Sequence, residues 1–232
     1  RLGLAVRPPH VNHSGRRFTL GWEGAQGVLW MGLGQVRDLR RASVRALVEA
    51  RRQRPFDDLR DLLRRVPLQQ KETDHLAQCG ALDGLGASRA ALLAEAEEVQ
   101  QAGSALQMTL AFARSPVEAE SPAQRLAWER HLLGQPVSVH PLEVVDLPDR
   151  LPLRRLPEQA GQPVTVAGVR LPGWTGGQGF WLGDGDTLVI ARGERDAPSP
   201  PPWAPLLVRG RWMGDQWGEE WLQIEKYESL SF

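Results

Sequence analysis

The spacing of apolar residues changes once along the chain, and that change divides it. Up to about residue 100 the apolar positions recur at helical spacing. Val44, Leu47 and Val48 share one face, as do Leu59, Leu62, Leu63 and Val66, and again Leu92, Leu93 and Val99. Pro55, Pro67 and the glycines at 80, 84 and 86 interrupt these stretches. Asp57 and Ser88 are expected as N-caps. Before them, Pro8-Pro9 enforces an extended segment, and Phe18-Thr19-Leu20 with Val28-Leu29-Trp30 fits a short hairpin. Residues 100–120 carry little periodicity. Ser121-Pro122-Ala123-Gln124 then opens another helix with a capping box, and Gly134 ends it. Residues 146–160 are punctuated by proline and read as linker.

From Pro163 the period is two. Pro163–Leu171, Gly179–Leu182, Thr187–Ala191, Leu206–Trp212 and Trp217–Tyr227 are predicted strands, most of them separated by Gly-rich turns. The third-to-fourth connection carries Pro198–Pro202. Five short strands with the longest interruption after the third fit a small barrel of the oligonucleotide-binding (OB) type, with a β-sandwich fragment as the alternative. Six of the nine tryptophans fall here: Trp174, Trp181, Trp203, Trp212, Trp217 and Trp221. About half are expected in the core, with Phe180 and Trp181 on opposite faces. Trp174 and Trp217 fall at the first-to-second and fourth-to-fifth loops, where exposed aromatics stack on the bases of a single strand.

Formal charge is zero over 232 residues, but residues 1–66 hold fourteen arginines and no lysine against six acids, a net +8. The rest is therefore −8. A basic half fits a polyanionic partner; a general preference for arginine over lysine would also produce it. The single cysteine, Cys79, excludes an internal disulfide or a cysteine-rich zinc site and is expected as a small buried residue. No run approaches the roughly 18 apolar residues of a membrane span, and no signal peptide is visible. The chain opens on Arg1 in mid-pattern, as a piece of a longer polypeptide would.

Catalytic chemistry is not visible. The acid-dense sites are Asp57-Asp58, Glu95-Glu97-Glu98, Asp184-Asp186 and Glu219-Glu220, read as solvated helix faces, a turn and a strand edge. His10 and His13 follow Pro-Pro and are expected exposed on an extended loop. No catalytic and no metal-ligating residue is assigned. Gln107-Met108-Thr109-Leu110-Ala111-Phe112 reads Q-x-x-L-x-F, an amide followed by aliphatic and aromatic anchors. Such a segment suits a preformed pocket, with Gln107, Leu110 and Phe112 as the contacts; a polar linker carrying two apolar residues is the plainer reading.

Met31-Gly32-Leu33-Gly34-Gln35-Val36-Arg37-Asp38-Leu39-Arg40-Arg41-Ala42 resembles a helix–hairpin–helix element, which turns backbone N–H groups at a helix N-terminus toward a DNA phosphate. Arg37, Arg40 and Arg41 would add sequence-independent charge. Further pieces extend the likeness: Val6-Arg7-Pro8-Pro9-His10-Val11-Asn12-His13-Ser14, Pro55-Phe56-Asp57-Asp58-Leu59, His75 through Gly86 with Ser88-Arg89, and Trp128-Glu129-Arg130-His131-Leu132-Leu133-Gly134 before Ser138-Val139-His140-Pro141-Leu142-Glu143. In this order they resemble the C-terminal part of bacterial C-family DNA polymerases, the polymerase III alpha subunit and its error-prone paralogue.

The resemblance implies an α+β multidomain chain: an α-helical helix–hairpin–helix module followed by a small five-stranded OB-type barrel. The segments would be the end of a fingers-like region (1–30), the DNA-binding module (31–100), a linker with a clamp-binding peptide (101–120), a connecting helix and linker (121–160) and the OB domain (161–232). It further implies duplex and single-stranded DNA, a sliding clamp gripping Gln107, Leu110 and Phe112, and other replisome or repair polymerase subunits as partners. A bacterial, cytoplasmic, nucleoid-associated location is expected, with no membrane. Nucleotidyl transfer would belong to the full polymerase, which would use Mg2+; this stretch would need no cofactor. Where the family has Gly-x-Gly, this chain has Asp38-Leu39-Arg40, so loss of the positive-φ glycine should weaken phosphate binding. The contrasting expectation is a non-catalytic interaction protein or remnant docking on a polymerase or repair partner.

Overall fold

A computed structural model describes residues 4–104, 117–177, 179–193 and 199–231. They form two compact units, Arg1–Ser138 and Val139–Phe232.

The first unit begins with three strands, β1 (Ala5–Arg7), β2 (Thr19–Glu23) and β3 (Gln26–Trp30), in the order β1-β3-β2. The expected hairpin is β2–β3, with Gly24 at φ +61 in its two-residue turn. The addition is β1, which runs parallel to β3. Alternation sends Val28 into the interior. Leu20 and Val6 both pair with Leu29 and Trp22 pairs with Gly27, so the opposite face carries apolar side chains outward. Leu4, Val6, Phe18, Leu20 and Trp22 are all exposed there.

Five helices follow: α1 (Arg41–Gln53), α2 (Leu59–Arg65), α3 (Gln70–Gln78), α4 (Arg89–Ser104) and α5 (Pro122–Leu133). Their apolar stripes meet in one core with Leu33, Leu47, Phe56, Leu62, Leu76, Leu92 and Leu132. Ser88 caps α4 as expected, its Oγ accepting the Ala91 N–H at 3.1 Å. The α2 cap is Asp58, one residue beyond the expected Asp57, which pairs with Arg54 instead. At α5 Ser121 accepts the Gln124 N–H and Gly134 ends the helix at φ +74. The reciprocal capping box belongs to α3 instead, between Gln69 and Glu72.

The segment from Pro8 to Ser14 is a structural anchor, not an exposed loop. Val11 and Ser14 are fully buried. The Asn12 amide pairs twice with the Phe56 backbone, donating to its carbonyl at 2.9 Å and accepting its N–H at 2.8 Å. His10 Nδ1 accepts the Asn12 N–H, so Nε2 carries the proton and donates to the Asp83 carbonyl at 2.8 Å. Burial lowers the His10 pKa, in keeping with this neutral tautomer. Only His13 is exposed, stacked on Trp30 at 4.7 Å.

Arg89 and Glu129 form a buried ion pair at 3.1 Å that ties α4 to α5. Arg89 also grips Asp83, and Glu129 accepts the N–H groups of Val137 and Ser138. Cys79 is wholly buried, as expected, and burial pushes its thiol up to about 12.

The second unit is a closed barrel of β4 (Pro163–Leu171), β5 (Phe180–Gly183), β6 (Leu188–Arg192), β7 (Pro205–Gly214) and β8 (Glu220–Ser229), in the order β4-β5-β6-β8-β7. Only β6–β8 is parallel, the closure of an OB-type barrel. The α+β architecture expected from the sequence is therefore present. Two details differ. Residues 153–159, read as linker, form a 3-10 helix whose Leu153 and Leu156 are buried in the barrel core. Of the six barrel tryptophans only Trp212 is buried, because Val166, Phe180, Leu182, Leu206, Val208 and Leu222 already fill the small interior. Phe180 points in and Trp181 out, its indole N–H donating to the Trp174 carbonyl at 3.1 Å.

Candidate nucleic-acid interface

The helix–hairpin–helix stretch is built on two close approaches and two ion pairs. Leu33–Gln35 makes a 3-10 turn against the loop Gly15–Arg17, with the Leu33 N–H donating to the Gly15 carbonyl at 2.9 Å and the Gly34 N–H to that of Arg16 at 3.0 Å. A Cβ on Gly32 would lie 2.5 Å from the Arg16 carbonyl oxygen, and one on Gly34 would lie 2.8 Å from it. These glycines are required because the loop packs directly on the turn.

The next turn holds Asp38-Leu39-Arg40. Asp38 adopts φ +61, the left-handed conformation in which a glycine costs least. Aspartate tolerates that region better than most residues. Its carboxylate pairs with Lys71 at 2.8 Å, and the hydrogen bond from Lys71 lowers its pKa. The positive-φ turn that glycine would supply is thus formed by an aspartate.

Arg40 closes the turn onto Glu72, which is only 2% exposed. Its Nε and Nη2 donate to the carboxylate at 3.1 and 2.7 Å, and its own N–H donates at 3.0 Å. Glu72 also accepts the Gln69 N–H at 3.0 Å, so one carboxylate caps α3 and ties down the hairpin. Burial pushes its carboxyl up, but the hydrogen bonds from Arg40, Gln69 and Ser43 outweigh this and hold it at about 2.

Of the three arginines singled out, Arg40 is therefore committed to the fold. Arg37 is exposed, with its backbone pinned by the Leu132 carbonyl at 3.0 Å and by the His75 ring at 2.8 Å. Arg41 is exposed at the start of α1. Sequence reading missed Glu72, because Gln69 is not among the residues that mark a capping box, and missed Arg16 and Arg17, whose only signal was the glycine pair at 32 and 34.

In the barrel, Trp174 and Trp217 are each 84% exposed. They occupy the β4–β5 and β7–β8 loops. Asp215 Oδ1 shapes the latter by accepting the N–H groups of Trp217 and Glu219, each at 2.9 Å. Arg192 lies over the Trp221 ring at 4.5 Å. Gln107, Leu110 and Phe112 lie outside the described residues. Among the described residues no group of three or more His, Cys, Asp or Glu could hold a metal ion, and no helix is long and apolar enough to cross a membrane.

A helix–hairpin–helix module and an OB-type barrel define the class. Residues 3–92 match the family model described as helix-hairpin-helix motif. The error-prone DNA polymerase of Methylococcus capsulatus is 37% identical over 119 residues, covering 43% of this chain and 11% of that protein. That of Alkalilimnicola ehrlichii is 29% identical over 231 residues, covering 91% and 22%. The DNA polymerase III subunit alpha of Thermus aquaticus is 37% identical over 158 residues, covering 61% and 12%. Among solved structures, asparaginyl-tRNA synthetase from Pyrococcus horikoshii overlaps 36% of this chain at 18% identity and a TM-score of 0.30, a likeness that carries no argument. The resemblance to bacterial C-family DNA polymerases is borne out, and the chain spans between 11% and 22% of the length of these curated relatives.

Proposed function

We propose that this chain is the DNA-holding and clamp-tethering part of a bacterial C-family DNA polymerase, replicative or error-prone. The observation that carries the reading is the hairpin Arg37–Arg41. It keeps a positive-φ turn at Asp38 and leaves Arg37 and Arg41 outward at the entry to α1. The N–H groups of Arg37, Leu39 and Arg40 are bonded within the fold, so what the turn offers phosphate is guanidinium charge, without reading sequence. The exposed Trp174 and Trp217 support a second role, stacking on single-stranded template. Gln107, Leu110 and Phe112 would seat in a sliding clamp. Nucleotidyl transfer, with Mg2+ held by carboxylates outside this stretch, would belong to the full polymerase, alongside other replisome or repair subunits in the bacterial cytoplasm.

A non-catalytic docking role is the second reading. The outward apolar face of Leu4, Val6, Phe18, Leu20 and Trp22 favours it. Fluorescence anisotropy of the whole chain with a labelled duplex separates the two. Affinity falling steeply from 50 to 200 mM salt supports the DNA role. No binding at 50 mM salt leaves the docking role.

A further inference from the structure

We infer that the loop Gly15–Arg17 is a phosphate-binding rim of the helix–hairpin–helix module, acting together with Arg37, while Arg40 is withdrawn from DNA. This deepens the DNA-binding reading and rests on it.

Arg7 pairs with Glu23, Arg52 with Glu49 and Arg60 with Glu95. Arg54, Arg64 and Arg65 all converge on Asp61. Arg51 donates to the Val11 carbonyl, and Arg40 is held by Glu72. Seven of the fourteen arginines are therefore held in ion pairs within the fold, and Arg51 by a carbonyl. Arg16, Arg17, Arg37, Arg41 and Arg45 are exposed and make no ion pair among the described residues.

Two of these come from a loop that is distant in sequence from the hairpin. Arg16 Cγ lies 3.3 Å from the position of a Cβ on Gly34, so its side chain starts over the turn that leads to Arg37. Gly34 and Arg37 are three residues apart, at most about 10 Å of extended chain. Guanidinium groups on side chains that start this close can meet neighbouring phosphates of one strand. Asp38, the acid next to Arg37, is neutralised by Lys71. The loop is also preorganised. Thr19 Oγ1 accepts the Gly15 N–H at 2.7 Å and donates to the Arg17 carbonyl at 3.2 Å, so little ordering remains to be done on binding.

The partner that fits is a nucleic-acid phosphate backbone, read without base contacts. The test is a salt titration of whole-chain binding to a fluorescein-labelled 20-base-pair duplex. Each lost phosphate contact lowers the slope of log K against log[salt] by about 0.9. Arg16→Gln/Arg17→Gln is expected to reduce the slope by about 2, and Arg16→Lys/Arg17→Lys to retain it. Arg52→Ala, which removes an arginine already paired with Glu49, is expected to leave it unchanged. Helical circular dichroism checks that each variant folds. If the parent binds and the glutamine pair keeps its slope, the rim is refuted and DNA binding by the hairpin stands. If the lysine pair loses as much as the glutamine pair in a folded protein, charge is not what the loop supplies, and the inference also fails. If the parent does not bind at low salt, both readings fall together.

Discussion

Replacing Glu72 by glutamine tests the lock on the hairpin. The carboxylate is buried, caps α3 and receives three hydrogen bonds from Arg40. Its pKa falls from an ordinary 4.5 to about 2. At about 1.4 kcal/mol per pKa unit this corresponds to roughly 3 kcal/mol. The Gln69 and Arg40 N–H groups sit on different carboxylate oxygens, so the one oxygen of glutamine keeps only one of them, and the expected loss at pH 7 is about 2–3 kcal/mol. The sign follows from linkage. The folded-state value is depressed, so the stabilisation is complete above pH 4.5 and is lost as pH falls toward 2. More than half of it should be gone by pH 3. Glu72→Gln cannot titrate, so the gap between parent and variant should close over the same window. Urea denaturation followed at 222 nm reads the right unit, because α1–α5 all lie in Arg1–Ser138. A gap below about 0.5 kcal/mol at pH 7, or one that stays constant from pH 7 to 3, would refute the lock.

Glu129→Ala leaves Arg89 buried with only the half-exposed Asp83 for charge, and should cost about 3 kcal/mol or more in the same assay; a cost under 1 kcal/mol would contradict it. Gly32→Ala sets a Cβ 2.5 Å from the Arg16 carbonyl oxygen and should cost roughly 1–3 kcal/mol by denaturant midpoint; a neutral result would mean that the loop moves aside freely. Leu110→Ala with Phe112→Ala should weaken binding to a cognate sliding clamp by at least ~2 kcal/mol in surface plasmon resonance, and unchanged affinity would sink the clamp peptide. Trp174→Ala and Trp217→Ala should each shift the barrel's unfolding by under ~0.5 kcal/mol while weakening oligo-dT binding by about 1–3 kcal/mol; a large stability loss would mean these rings serve the fold.

The barrel was legible because its signals are local. Alternation and Gly-rich turns set Pro163–Leu171 to the residue and the other four strands to within a few positions. What escaped depends on partners far along the chain. Ala5–Arg7 becomes a strand only because β3 lies beside it. Leu153 and Leu156 were hidden among prolines, and only the closed barrel gives them an interior to fill. At the candidate site, Arg37 and Arg41 could be read from the hairpin pattern. Arg40 could not be separated from them, because Glu72 lies 32 residues away. That an aspartate holds the positive φ at 38, paired with Lys71, could not be read from the hairpin pattern, because the partner lies far along the chain.

Cys79 turns the molecule into its own chemical clock. It is the only thiol in the sequence, it lies in the core of the first unit, and burial raises it to about 12. At pH 7.5 the native thiolate is then far scarcer than the about one in ten of an unfolded cysteine near 8.5. A thiol reagent should therefore modify the chain almost only when residues around α3 open, and the barrel contributes no signal. Labelling rates would time the opening of one unit while tryptophan emission, drawn mainly from the barrel, follows the other. A cysteine placed on the barrel surface would be labelled first, with no need to remove the native one.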